Sequence, residues 1–160
     1  KKSSPKILGL FVVVAICYEI SNYSAQGDEA VHNQLYWHGG EYLGLGVGSH
    51  SMMISDNRVI RCANNTKTGV YLKNPLEHPL EEEHLTPGEH LVERIILGLR
   101  TSRGIDLNDI SSQFELPIGA PLLDTLDRAV SMDLLTQNSS RYRPTLKGFL
   151  LADSLGELFL

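Results

Sequence analysis

The densest chemistry in the sequence sits in seven consecutive residues, His32-Asn33-Gln34-Leu35-Tyr36-Trp37-His38, which hold two imidazoles, amide side chains, a phenol and the chain's single tryptophan. In a helix, His32 and Tyr36 stand at i and i+4 and share a face, with Asn33 and Trp37 on the adjoining one. Such a cluster can stack on a flat conjugated ring and offer an imidazole nitrogen to a metal at its centre. A plainer use fits the same residues: a helix start packing an aromatic anchor, with His32 and Asn33 satisfying nearby backbone groups. Spacing leaves both open, since a histidine ligates a metal only with the right geometry.

A second candidate follows at once. In Glu41 to Ser51, EYLGLGVGSHS, Leu43, Leu45 and Val47 alternate with Gly44, Gly46 and Gly48. Read as a strand, this leaves one face without side chains, open to close approach by a ligand or by a neighbouring helix. The two cysteines, Cys17 and Cys62, form no C-x-x-C motif and no disulfide framework. Two reduced thiols in a cytoplasmic protein are expected, with a single bridge as the alternative.

These candidates need elements to hold them. Ile7 to Cys17, ILGLFVVVAIC, is an unbroken apolar run behind Lys1, Lys2 and Lys6. It imitates a secretory signal, yet its valines favour a buried strand, and it falls short of the roughly 18 to 20 residues that span a bilayer. Ser51 to Ala63 reads as a hairpin turning at Ser55-Asp56-Asn57, and Glu81 to Glu83 as a solvated surface.

From Thr86 onward the pattern becomes helical. Thr86-Pro87-Gly88-Glu89 is a capping box with proline at the first helical position, followed by a stripe of Leu91, Ile95, Ile96 and Leu99, with Gly104 placed to end the helix. Asp106 caps a shorter helix to about Phe114 with Leu107 and Ile110 inward, and a third helix, about Ala120 to Met132, buries Leu122, Leu123, Leu126 and Val130. A small hairpin around Asn138-Ser139 precedes a last helix capped by Thr145, with Leu146, Phe149, Leu150, Leu155 and Leu158 inward. Three helices, a hairpin and a closing helix describe a winged-helix-like module.

Charge argues against nucleic acid as that module's partner. The chain carries a formal net charge of -5. From Thr86 to the end, seven Lys and Arg stand against ten Asp and Glu, and 7 - 10 = -3. The third helix holds Asp124 and Asp127 beside only Arg128, so a phosphate backbone is repelled as much as drawn.

Ordered strings then point to a family. YEISNYS (Tyr18 to Ser24), HNQLYW (His32 to Trp37) and EYLGLGVGSHS (Glu41 to Ser51), with LTPGEHLVERIILGLRTSRGIDL and RPTLKGFLLAD toward the end, resemble the oxygen-independent coproporphyrinogen III oxidase-like radical SAM family. H-N-x-x-Y-W resembles its haem-chaperone, HemW-like branch. The resemblance implies an α+β chain: residues 1–85 as the closing portion of a radical SAM (β/α) barrel, and residues 86–160 as a C-terminal winged-helix-like domain.

It implies haem-binding roles for His32 as axial ligand, Asn33 as orienting hydrogen bonder, and Tyr36 and Trp37 as stacking or propionate-edge contacts. Gly46, Gly48, Ser49 and His50 match the region that in the family lies near S-adenosylmethionine. The family's C-x-x-x-C-x-x-C motif, which holds a 4Fe-4S cluster, has no counterpart here, so no radical chemistry is expected of this chain alone. The expectation is a truncated haem chaperone passing haem to acceptor proteins, prone to self-association through open barrel edges. A complete coproporphyrinogen oxidase is the alternative, and a winged-helix DNA-binding protein, which the charge disfavours, the second.

Overall fold

The structure, a computed structural model, describes residues 16–55, 58–75 and 81–160. Most of the apolar run read as a buried strand, and Asp56-Asn57 of the expected turn, lie outside the described residues. Described strands and helices alternate in a mixed arrangement, and every strand pair is antiparallel.

Local sequence sets the start of the C-terminal elements. Thr86 accepts the Glu89 amide on its hydroxyl while the Glu89 carboxylate accepts the Thr86 amide, and the reciprocal box opens α3, Pro87–Gly98. Asp106 accepts the Asn108 amide at 3.1 Å and caps α4, Leu107–Phe114. Helix α5, Ala120–Ser131, follows. Residues of α3, α4 and α5 then meet in one core that includes Ile95, Ile110 and Leu126, none more than 1% exposed. Burial of each such side chain contributes about 1.5–3 kcal/mol.

That core is closed by a three-stranded sheet of β6 (Ile105–Asp106), β7 (Leu135–Asn138) and β8 (Arg141–Pro144), in the order β6-β8-β7. The β7–β8 hairpin turns at Ser139-Ser140, one residue later than the sequence suggests, with Ser139 at φ 55°.

Three sequence expectations need correction in this part. Gly104 does not end α3, which stops at Gly98. It lies beyond the helix at φ 64°, where an added Cβ would stand 1.9 Å from the Tyr142 carbonyl oxygen, so glycine is required by the approach of β8. On α5, Ala129 faces the core and Leu123 faces out, while Leu122 and Val130 are partly buried. The last helix is two, α6 (Leu146–Leu150) and α7 (Ala152–Glu157), and Leu146 and Leu150 are 78% and 77% exposed. The reason is Gly148, whose Cβ would meet the Leu134 carbonyl oxygen at 2.0 Å. The glycine is the packing face of α6, and residues two positions either side of it point the opposite way.

The N-terminal portion is joined to α3 by hydrogen bonds. Strands β1 (Ile16–Glu19) and β2 (Asn22–Ser24) form a two-stranded ribbon. Its turn docks on the loop after α3, with the Ile20 amide donating to the Arg100 carbonyl at 3.1 Å and the Ser102 amide to the Tyr18 carbonyl at 2.9 Å. Glu19 is fully buried there and satisfied, accepting the Ser21 amide at 2.8 Å and the Asn22 side-chain amide. A second sheet holds β3 (His50–Ser55), β4 (Arg58–Ala63) and β5 (Glu81–Leu85). The expected hairpin is β3–β4, and the acidic triplet read as a plain surface is strand β5 on its far edge.

Candidate functional site

Residues Val31–Trp37 form α1, a two-turn helix with no buried residue. The i, i+4 geometry anticipated for His32 and Tyr36 is present: the Tyr36 hydroxyl lies 3.0 Å from His32 Nε2, and the rings meet edge-on at 4.8 Å. Tyr36 is held from its other side by Tyr42, edge-on at 4.6 Å. Tyr42 in turn exchanges two backbone hydrogen bonds of 2.9 Å with Met52 of β3. Burial pushes the Tyr42 phenol above its usual pKa, against the opposing pull of Arg61. The aromatic relay from His32 to the sheet is therefore neutral over ordinary pH at its Tyr42 end.

The His32 ring is exposed and overlooks a shallow groove of about 640 Å³ lined by Val31, His32, Gln34, Leu35 and His38. Val31 and Leu35 are 84% and 40% exposed, which gives the groove an apolar wall beside the imidazole. His38 closes the helix, its Nδ1 2.6 Å from the Gln34 carbonyl oxygen. Asn33 and Trp37 are half-buried on the adjoining face. The Trp37 carbonyl accepts from Arg94 of α3 at 3.4 Å. Gly39, at φ 64°, makes the turn that follows, where a Cβ would stand 3.2 Å from Arg94 Cδ and 3.6 Å from His90 Nε2.

The glycine segment is a loop, not the strand its alternation suggests. Only Tyr42 makes a bridge, and Leu43, Leu45 and Val47 are all exposed. The close approach inferred from the glycines is real at Gly44, but its occupant is this chain: a Cβ there would stand 2.0 Å from the His50 carbonyl oxygen. Gly46 and Gly48 take φ 109° and 66°. Ser49 Oγ donates to the Gly46 carbonyl at 2.8 Å, and the Gly46 amide donates to the Tyr71 hydroxyl at 3.2 Å, from α2, Thr68–Lys73.

Asn64 organises this loop, and sequence reasoning passed over it. Its side-chain amide reaches the carbonyls of Gly44 and Gly46 at 3.2 and 3.0 Å and Ser49 Oγ at 3.0 Å. The Asn64-Asn65 pair after β4 was the available signal, since asparagine favours local backbone bonding. His50 is exposed at the start of β3 and lines a small depression of about 140 Å³ with Arg61, Cys62, Ala63 and Glu83. That depression and the groove of His32 share no residue, and of the eight candidate residues only His32 lines the groove and only His50 the depression, with Tyr36, Tyr42 and Met52 linking the two helix and sheet regions.

Arg61 is a further residue without a sequence signal. It bridges Glu83 at 3.4 Å and contacts Glu93 of α3 closely, tying the β3–β5 sheet to that helix, and its guanidinium is held further into the charged state chiefly by Glu93. Cys17 and Cys62 are free thiols on different sheets, and no group of three or more metal-binding side chains converges among the described residues. A cuboidal iron-sulfur cluster needs three or four convergent thiolates. These cysteines do not fit one.

Residues 85–151 match the HemN C-terminal domain family. Over 144 residues the chain is 31% identical to the haem chaperone HemW of Lactococcus lactis, an alignment covering 89% of this chain and 37% of that protein. It is 40% identical over 92 residues to HemW of Synechocystis, covering 55% of this chain and 22% of the relative. HemW of Escherichia coli is 30% identical over 152 residues, with 89% and 37% covered. The chain thus spans about 37% of the length of the Lactococcus and Escherichia relatives. Among solved structures, coproporphyrinogen III oxidase (HemN) from Escherichia coli, a radical SAM enzyme, has the same fold over 86% of this chain and 30% of that one, with TM-score 0.58 and 22% identity. No helix among the described residues is long and apolar enough to cross a membrane.

Proposed function

We propose, for a chain that is HemW/HemN-like and matches the C-terminal part of those proteins, that it holds haem as cargo on the exposed face of α1 and passes it to acceptor proteins. One observation carries this reading: an accessible imidazole, His32, stands over an apolar groove and is oriented through its own Nε2 by Tyr36. If Nε2 keeps the proton and donates it to the Tyr36 oxygen, Nδ1 is the free acceptor that can meet iron. Tyr36 then acts as a positioning residue, fixing tautomer and ring orientation as outer hydrogen-bond partners do at metal sites. Val31 and Leu35 cover part of the macrocycle, while the edge-stacking role of Trp37 and the orienting role of Asn33, both on the adjoining face, rest on the family likeness.

An exposed site of this kind suits transfer. Helix α1 buries none of its residues, so a ligand leaves without unpacking a core.

Other parts of the reading rest on the family likeness. The order α3, β6, α4, α5, β7, β8, with β6 paired to β8, supports a winged-helix-like domain over residues 86–160. A barrel-closing role for residues 1–85 requires parallel partners, which the described strands do not supply to one another and which the rest of a longer protein would bring. In that protein Gly46, Gly48, Ser49 and His50 would lie beside S-adenosylmethionine. Without those partners, exposed strand edges favour self-association.

A haem titration followed by absorbance tests the proposal. Wild-type chain is expected to give a shifted Soret band, His32→Ala to lose it, and Tyr36→Phe to weaken binding about 2- to 10-fold, the worth of one hydrogen bond. Equal binding by all three proteins refutes the assignment.

A further inference from the structure

We infer that the cleft beside the end of α1, lined by His38, Arg94, Arg103, Asp106, Asp109 and Arg141, anchors the carboxylate arms of the ligand whose ring lies in the His32 groove. This rests on the haem reading above and gives it a second contact. The cleft holds about 240 Å³, below the roughly 300 Å³ at which small-molecule pockets begin. It has room for the polar end of a ligand and none for a macrocycle.

Its charge favours an anion. Three guanidiniums face two carboxylates, leaving +1. One of the two carboxylates is already committed. Asp106 caps α4 and pairs with Arg141 at 3.3 Å. Asp109 is the acid that acts on Arg94, whose guanidinium is pushed below its ordinary pKa chiefly by burial. Arg94 Nε is buried with no partner among the described residues, a donor that lacks an acceptor. Arg103 is exposed and makes no ion pair among the described residues. Guanidinium is the group best matched to a carboxylate, through paired N–H donors.

The placement joins this cleft to the groove. His38 lines both. From His32 to His38 the helix rises about 9 Å, a separation on the scale of the reach from a macrocycle's centre to its carboxylate arms. A flat apolar ligand with acid groups along one edge would meet an imidazole at its middle and arginines at that edge.

Metal-free protoporphyrin IX and its dimethyl ester separate this contact from iron ligation. Binding to the chain is followed by porphyrin fluorescence. The free acid is expected to bind about 10-fold tighter than the ester, one hydrogen-bonded charge pair being worth that factor. Arg103→Gln should erase the preference by weakening the acid alone, and Arg103→Lys should restore part of it. Arg103 is exposed, so neither change threatens the fold. His32→Ala should weaken haem far more than either metal-free ligand and leave the preference for acid over ester unchanged. Acid and ester binding alike to wild type, or Arg103→Gln weakening both equally, overturns the cleft assignment. Haem binding indifferent to His32→Ala, with the acid preference intact, overturns the axial-ligand reading and leaves the cleft standing.

Discussion

Gly104→Ala tests how the C-terminal part is held together, because the structure gives the substitution two separate costs. Its φ of 64° lies in the left-handed region, where a residue with a Cβ costs about 1 kcal/mol more than glycine. The methyl would also stand 1.9 Å from the Tyr142 carbonyl oxygen and 2.8 Å from Arg143 Cα, both on the backbone of β8, so no side chain can turn aside to admit it. To restore contact distance β6 and β8 must part by more than 1 Å, judged against a closest approach of about 3 Å. That breaks the Ile105–Tyr142 pairing, whose side chains are 2% and 3% exposed. Two ladder hydrogen bonds at about 1 kcal/mol each and a partial loss of burial bring the total to about 3–5 kcal/mol.

With a urea m-value near 2 kcal/mol/M, the unfolding midpoint should fall by about 2 M, read by far-ultraviolet circular dichroism. Gly46→Ala is the control. It has a more positive φ, 109°, yet nothing lies within 4 Å of its Cβ, so only a backbone cost of about 1–3 kcal/mol remains. If Gly104→Ala unfolds within 1 kcal/mol of wild type, or no further from it than Gly46→Ala, the tight β6–β8 approach is wrong.

Two further outcomes follow from α3. Burial holds His90 below the ordinary imidazole pKa, with Arg61 and Arg94 adding to the effect and Glu93 opposing it. The unfolded chain therefore takes up the proton first, and stability falls as pH drops through about 6.5 toward the lower folded value, then levels. Comparing unfolding midpoints of wild type and His90→Gln from pH 7.5 to 5 should show a shallower slope in the variant; parallel curves would clear His90 of any part in acid sensitivity. Thr86→Ala removes the acceptor of the Glu89 amide and should cost about 1 kcal/mol, a fall in melting temperature of about 2–4 °C by calorimetry, and an unchanged melting temperature would show the capping box is idle in this fold.

What could be read from sequence had local causes. Thr86-Pro87-Gly88-Glu89, Asp106 and Thr145 start helices because each side chain caps amides two or three residues away. His32 and Tyr36 share a face because helical periodicity alone puts them there. The alternating glycines misled because a strand and a loop can carry the same pattern. Asn64, far along the chain, supplies the hydrogen bonds that hold them as a loop. The acidic triplet became β5 because Val59 to Ala63 offered it a free strand edge.

The sequence by itself determined the helix starts, the His32–Tyr36 pair and the family likeness, all set by neighbours within a few positions or by ordered strings. Only the tertiary structure decided that His38 meets Arg94, Arg103 and Arg141, residues from 56 to 103 positions away, in one cleft. No periodicity records such a meeting. It exists because Gly39 lets α1 turn against α3, and Gly104 lets β8 lie against β6.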